Sequence, residues 1–336
     1  MSQQVVLTGI KPTGTPHLGN LVGAIQPAID LSQDNDKRAF YFIADYHALT
    51  GLKDAQLLRD YTKQVAAAWI ALGLDPTRVV FYRQSDVPEV FELNWILACF
   101  APKGLMNRAH AYKAMVQRNE ENGESDIDAG VNMGLYTYPI LMAADILLMQ
   151  THWVPVGGDQ VQHIEIARDI AQYFNRQYQR AVFTLPEAMI DEQGAVIPGL
   201  DGRKMSKSYN NTIPIFGSSD ELRKRVFRIA TDSSRPGEPK DPETSTIFQL
   251  YRLVATSEQT LAFRQQFLSG IGWKDAKEQL FQVLDQRLAE PRERYRDLIT
   301  DSAAISKIFR LGAEEARDLA QETMRQVRLA IGQNLQ

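Results

Sequence analysis

Apolar positions in the first third of the chain switch repeatedly between two periodicities. "QVVLTGI" (4–10) is a short β-rich run that ends in a glycine- and proline-bearing loop, "GIKPTGTPHLGN". The segment after it, "LVGAIQPAIDLSQ", has helical spacing. "RAFYFIADYHAL" (38–49) again has a buried-strand pattern, "DAQLLRDYTKQVAAAWIALGL" (54–74) reads as an amphipathic helix, and "RVVFYRQS" (78–85) as a strand. Strands alternating with helices predict parallel βαβ units, hence a doubly wound α/β sheet. Ligands bind beyond the carboxyl ends of such strands, so loops 9–20, 45–50 and 154–160 are where a site is expected.

From about Glu89 to Asn132 the pattern is helical and then strongly polar, with "QRNEENGESDIDAG" (117–130) read as a mobile loop. This predicts a helical insertion between two halves of the sheet. "YPILMAADILLMQ" (138–150) is a helix, "HWVPVG" (152–157) a strand, and "QVQHIEIARDIAQYFN" (160–175) a helix after the Gly-Gly-Asp turn. Beyond Pro214 nearly everything is helical, apart from the proline-rich "RPGEPKDPET" (235–244), and the chain closes on a long amphipathic helix over 305–332. The expected division is 1–210, a Rossmann-like unit with a helical insert at about 89–132, followed by 211–336, a mainly helical region with a C-terminal helix.

Composition narrows the class. The 336 residues, 44% hydrophobic and 23% charged, are those of a soluble globular protein. No run approaches the ~20 apolar residues of a membrane span, and the N-terminus predicts no signal peptide. The single cysteine, Cys99, excludes an internal disulfide and a cysteine-based zinc site. A reducing, cytoplasmic setting is expected, with Cys99 as a small core residue. A formal charge of −4 argues against a protein that coats nucleic acid. It leaves room for a local RNA site, and basic residues cluster in 222–235 and 292–298.

The common nucleotide fingerprints are absent: there is no G-x-x-x-x-G-K-[ST] and no G-x-G-x-x-G after a strand. In their place the first strand–helix loop offers Gly9, Gly14 and Gly19 for close backbone approach, with Lys11 and His17 beside a helix N-terminus suited to phosphate. "GRKMSKSYNN" (202–211) crowds Lys204, Ser206, Lys207 and Ser208 into one short loop, a density that suits a polyphosphate. In the helix 138–150, Tyr138, Met142 and Asp145 fall on one face at i, i+4 and i+7. A lone carboxylate in an apolar run needs a hydrogen-bond donor, so this face fits a flat aromatic ligand carrying one N–H or O–H. A structural Asp paired within the protein fits the same pattern. His110, His152 and His163 have no metal-ligand spacing and are read as structural.

"HLGN" (17–20) and "KMSKS" (204–208) together are similar to the paired signature of class I aminoacyl-tRNA synthetases, with Leu18 and Asn20 as departures in the first motif. With "ADYHA", "GLYTYPILMAADILL" and "VPVGGDQVQHIE" in this order, nearly the whole chain resembles the bacterial tryptophanyl-tRNA synthetases. The resemblance implies ATP-dependent activation of L-tryptophan and transfer to tRNA(Trp), with Mg²⁺ accompanying ATP and no tightly bound, protein-ligated metal. It implies Lys204, Lys207 and His17 as catalytic residues. Lys11, Pro12, Thr13, Gly19, Asn20, Gly157, Gly158, Asp159, Ile197 and the loop Lys204, Met205, Ser206, Lys207, Ser208 would hold ATP. Asp145 would accept the indole N–H, Met142, His47, Val154, Val156, Leu7 and Gly9 would shape the side-chain pocket, and Tyr138 and Gln160 would take the α-amino group. The residues alone leave open that Val154, Val156 and Leu7 are ordinary strand residues, His47 a core histidine and Met142 core filler. The resemblance further implies a homodimer formed through the insert, anticodon contact by the helical region, and no membrane. Many members carry Gln where this chain has Lys11, so a second cation is expected beside the triphosphate. Rival expectations are a tyrosyl enzyme on the same fold, which differs at Met142, or a non-catalytic tryptophan-sensing or RNA-binding relative.

Overall fold

In a computed structural model, which describes residues 3–190 and 197–333, five parallel strands form a sheet. They are β1 (Gln4–Ile10), β2 (Lys37–Ile43), β3 (Val79–Arg83), β4 (Trp153–Val156) and β5 (Glu187–Ile190), in the order β3-β2-β1-β4-β5. The doubly wound prediction is met. β1 pairs with β2 from Gln4↔Lys37 to Ile10↔Ile43, and with β4 at Val6↔Trp153. Strand order reverses at β1, so a crevice opens beyond the carboxyl ends of β1 and β4, where such sheets bind ligands.

Both faces of the sheet are covered, as near-continuous apolar strands require. Side chains alternate along each strand. Leu7, Phe40, Phe42, Val80 and Tyr82 pack with the helices Glu89–Ala98, Met133–Leu148 and Val161–Gln177. Val6, Tyr41, Ile43, Val79 and Phe81 pack with Trp69 of the helix Ala55–Ala71. A third core joins helices of residues 219–288 to Leu18, Leu21 and Met205. The helical region therefore shares its hydrophobic core with both motif-bearing loops, which fixes one loop against the other.

Several expectations need correction. The strand predicted over 38–49 stops at Ile43, and Asp45–Ala48 forms a helical turn. Asp45 turns the chain there by accepting from Ser85 N and Oγ. The 117–130 stretch is helical up to Glu121, and the remainder folds back on that helix. The buried Asn119 amide donates to the carbonyls of Ile127 at 2.8 Å and Ala129 at 2.9 Å, and Tyr112 donates to Asp128. Cys99 is exposed rather than in the core, one helical turn after the exposed Trp95. The edge strand β5 carries no apolar run of its own, with Glu187 exposed at its start and Ile190 exposed at its end, and the sequence pattern does not predict it.

The final helix, Ser302–Ala330, returns to the sheet and lies across β3. Gly312 makes this approach possible. A Cβ there would stand 2.0 Å from the Phe81 carbonyl oxygen and 2.6 Å from its carbon. Arg317 adds a two-pronged ion pair to the buried Glu89, at 2.9 and 3.1 Å, and Arg328 pairs with Glu92. In an open helix, glycine to alanine would gain about 1 kcal/mol of propensity. Here the obstacle is strand backbone, which cannot rotate away. Gly312→Ala is accordingly expected to destabilise the fold by roughly 1–3 kcal/mol, read as a lower urea midpoint at unchanged slope; an unchanged or raised midpoint would contradict this packing.

Candidate active site

A cavity of about 800 Å³ occupies the crevice. From the first loop, Lys11, Thr13, His17, Gly19 and Asn20 reach it; Gly157 and Gly158 enter after β4, and Ile197 closes one wall. Lys204, Met205, Ser206 and Lys207 form the lid. Pro12 and Ser208 belong to the same loops but lie off the lining, Pro12 being buried beneath. The side chain of Asp159 falls outside the described residues.

The lid is anchored at both ends. Met205 is buried, and its sulfur accepts the Gly19 N–H at 3.2 Å. Leu18 N donates to Ile213 O at 2.9 Å. Asn211, 2% exposed, accepts from Ser206 N at 2.8 Å and donates to Asp201 Oδ1 at 2.7 Å and Lys204 O at 3.1 Å. Gly199 must lack a side chain, because a Cβ would sit 2.3 Å from the Asn211 amide. Asn211 was missed in the sequence because it follows the lysine–serine run and looks like turn punctuation. Asn20 closes the opposite turn by accepting from His17 N at 3.1 Å.

Cations face the cavity from both sides. Lys207 Nζ reaches the Thr13 carbonyl at 3.3 Å, and Lys11 Nζ reaches Thr50 Oγ1 at 3.3 Å. Loss of water around both amines lowers their pKa. A polyanion would supply the charge they lack. His17 has its pKa lowered to about 4, first by burial and then by Lys207, so it is neutral at pH 7. Its buried Nδ1 has no hydrogen-bond partner among the described residues.

Beside the ends of β2 and β3 stands Asp145, 5% exposed, on the helix Met133–Leu148. Burial pushes its carboxyl above the usual range, against the pull of the His47 and Gln84 donors. His47 Nε2 donates to Oδ2 at 2.9 Å, while Gln84 Nε2 donates to Oδ1 at 2.9 Å and to Oδ2 at 2.8 Å. The sequence suggests a ligand N–H as the donor to Asp145, or else a partner within the protein; His47 and Gln84 are partners of the second kind. Gln84 escaped notice although it follows β3 directly, because the end of that strand was left out of the expected site loops. Met142 is half-buried and packs on the same core as Leu7, Val154 and Val156. Gly9 lets the Phe42 ring approach, since a Cβ would lie 2.6 Å from Cζ.

His163, expected to be structural, bonds to two neighbouring side chains. Its Nδ1 donates to Gln160 Oε1 at 2.9 Å, so Nε2 must accept, and it takes the Tyr138 hydroxyl. The imidazole thus fixes both residues expected to meet an α-amino group. Gln160 N in turn donates to Gly157 O at 2.9 Å, so a single turn links the Tyr138 side of the crevice to the large cavity.

A glycine-lined cavity at the switch point of a parallel sheet, lidded by a lysine loop, suits a ligand that carries phosphates. The chain belongs to the family of class I tRNA synthetases (W and Y), whose pattern it matches over residues 2–289. It is 56% identical over 329 residues to the tryptophan–tRNA ligase of Pseudomonas aeruginosa, covering 97% of this chain and 73% of that protein. It is 52% identical over 332 residues to the tryptophan–tRNA ligase of Neisseria meningitidis serogroup A, covering 99% and 98%. The crystal structure of tryptophanyl-tRNA synthetase from Campylobacter jejuni, complexed with ADP and tryptophan, superposes with a TM-score of 0.88 at 42% identity, over 98% of this chain and 100% of that one.

The electrostatics of the lid are open to titration. In the wild type, the His17 ring carbons followed by NMR should shift with a midpoint of about 4. In Lys207→Ala the midpoint should move up toward the ordinary histidine range, because one lowering charge is gone. A wild-type midpoint near 6.5 would show that the lid does not close on His17 as described.

Proposed function

We propose that this chain joins L-tryptophan to tRNA(Trp) at the expense of ATP, through tryptophanyl-adenylate. The observation that carries this is the shared crevice. The turn from Gly157 to Gln160 lines the large cavity at one end and holds the Tyr138–His163–Gln160 chain at the other. Two substrates placed on either side of that turn would meet with reacting groups adjacent, which accounts for a large part of such a rate enhancement.

In this reading ATP lies in the cavity with its triphosphate under Lys204 and Lys207. An oxygen of the tryptophan carboxylate attacks the α-phosphorus in line, and the bond to the bridging oxygen of the β-phosphate breaks. The electron pair leaves with pyrophosphate, where Lys204, Lys207 and Lys11 meet the developing charge. The attacking group is already ionised, so no general base is needed. His17, neutral at pH 7, donates a hydrogen bond to phosphate without adding charge. Gly157 and Gly158 face the ribose, with Asp159 beside them, and Ile197 borders the adenine. Met142, Val154, Val156, Leu7, Gly9 and His47 enclose the indole, Asp145 accepts its N–H, and Tyr138 and Gln160 take the ammonium. The terminal ribose hydroxyl of the tRNA then attacks the adenylate carbonyl, and AMP leaves.

Mg²⁺ accompanies ATP as its phosphate complex. Among the described residues no group of three or more His, Cys, Asp or Glu side chains is arranged to hold a metal. The anticodon is taken to meet the helical region, where Arg223, Lys224 and Arg228 are exposed on and just after the helix Ser219–Phe227. Pairing with a second copy through the 89–132 insert is supported by Trp95, which is 73% exposed there. Among the described residues no helix is long and apolar enough to cross a membrane. A cytoplasmic location remains part of the proposal.

The test is amino-acid-dependent exchange of pyrophosphate into ATP, with tryptophan and tyrosine in parallel. Exchange with tryptophan alone is expected, and Lys207→Ala should lower kcat by about 10²–10³ while tryptophan binding is retained. Exchange driven by tyrosine would overturn the pocket assignment. A folded protein inactive with both would favour a binding or regulatory role.

A further inference from the structure

Gln84 is 1% exposed and sits in the tight turn Gln84–Asp86 that leaves β3. Its amide is orientated from two directions. Oε1 accepts the His47 backbone N–H at 3.3 Å, which obliges Nε2 to face Asp145. Nε2 then spans both carboxylate oxygens, at 2.9 and 2.8 Å. The turn itself is tied to the His47 turn, because Asp45 accepts from Ser85 N at 3.1 Å and from Ser85 Oγ. Arg83 and Asp86 pair across its far side at 2.8 Å. Gln84 is therefore held by its own turn and by the His47 backbone, and its side-chain donor is spent on Asp145.

Counting bonds at Asp145 shows what this does. Oδ2 receives both His47 Nε2 and Gln84 Nε2, whereas Oδ1 receives Gln84 alone. An ionised carboxylate oxygen has room for a further donor, and Oδ1 is the oxygen with the greater room. Without Gln84 the carboxylate would keep a single anchor, at Oδ2, and could turn about it. Its charged form would also lose a donor in a buried setting, which favours protonation. A protonated Asp145 presents an O–H where an acceptor is required.

We infer that Gln84 is a specificity-positioning residue: by bridging the Asp145 carboxylate it aims Oδ1 at the indole N–H, so the choice of tryptophan over an isosteric ring lacking that N–H depends on it. This rests on the proposed function, in which Asp145 reads the indole nitrogen. It adds a residue that acts through Asp145 and a role that is separable from general support of the fold.

The experiment compares tryptophan with β-(3-benzothienyl)alanine, in which sulfur replaces the indole N–H, by pyrophosphate exchange in wild type, Gln84→Met and Gln84→Asn. Methionine keeps the volume and removes the donor; asparagine keeps an amide but draws it back by one methylene. In Gln84→Met, kcat/KM for tryptophan should fall about ten- to a hundredfold, mostly through KM. The benzothienyl analogue and the KM for ATP should hardly change, so discrimination between the amino acids collapses. Gln84→Asn should give a smaller loss in the same direction, and it carries the test should Gln84→Met fail to fold. Parallel losses for both amino acids, or unchanged discrimination, would overturn the inference while leaving Asp145 in its role. A wild type that uses both amino acids equally would instead overturn the reading of Asp145, and the inference with it.

Discussion

A carboxylate kept from water, Asp145, is the constraint on which the packing between the ends of β2 and β3 and the helix above them depends. Burial opposes its charge, and the donors from His47 and Gln84 work against that penalty. Those donors come from turns at the ends of β2 and β3, while Asp145 comes from the helix Met133–Leu148 packed over them. Strand register, helix packing and loop geometry must all be correct before these three side chains meet. In the proposed function, substrate recognition is thus built into the folded core rather than displayed on a surface loop.

The nucleotide side rests on a different device, a shared hydrophobic core. Leu18 of the first loop and Met205 of the lid are buried in one cluster with the helical region. Asn211 and the contact between Met205 sulfur and Gly19 N set where Lys207 reaches. Lys11 of the first loop and Lys207 of the lid, both partly stripped of water, line the same cavity of about 800 Å³. The final helix, laid across β3 on Gly312, braces the edge of the same sheet through Glu89 and Arg317.

The alternation of strand and helix was legible because buried parallel strands are long apolar runs and the motifs fall at their ends. The lysine loop and Asp145 stand out in the sequence for a chemical reason, since clustered cations and a lone acid in an apolar helix are costly without partners; within the fold Asp145 finds its partners in His47 and Gln84. Gln84, His163 and Asn211 were not legible. Each acts through another side chain, and a glutamine, histidine or asparagine near a turn has many uses that one-dimensional spacing cannot separate. Cys99 and the 117–130 stretch failed for a related reason. Exposure of a small residue and folding back of a polar loop are decided by tertiary neighbours, as with Asn119 and the carbonyls it gathers.

The central claim, that a buried anionic acceptor reads the indole nitrogen, is tested most directly on bound tryptophan labelled with ¹⁵N in the ring. With the full chain saturated by tryptophan and a non-hydrolysable ATP analogue, the indole proton should shift downfield and exchange slowly with water, and Asp145→Asn should abolish both effects. An indole N–H that exchanges as freely as in solution, or that is unaffected by the substitution, would contradict the account.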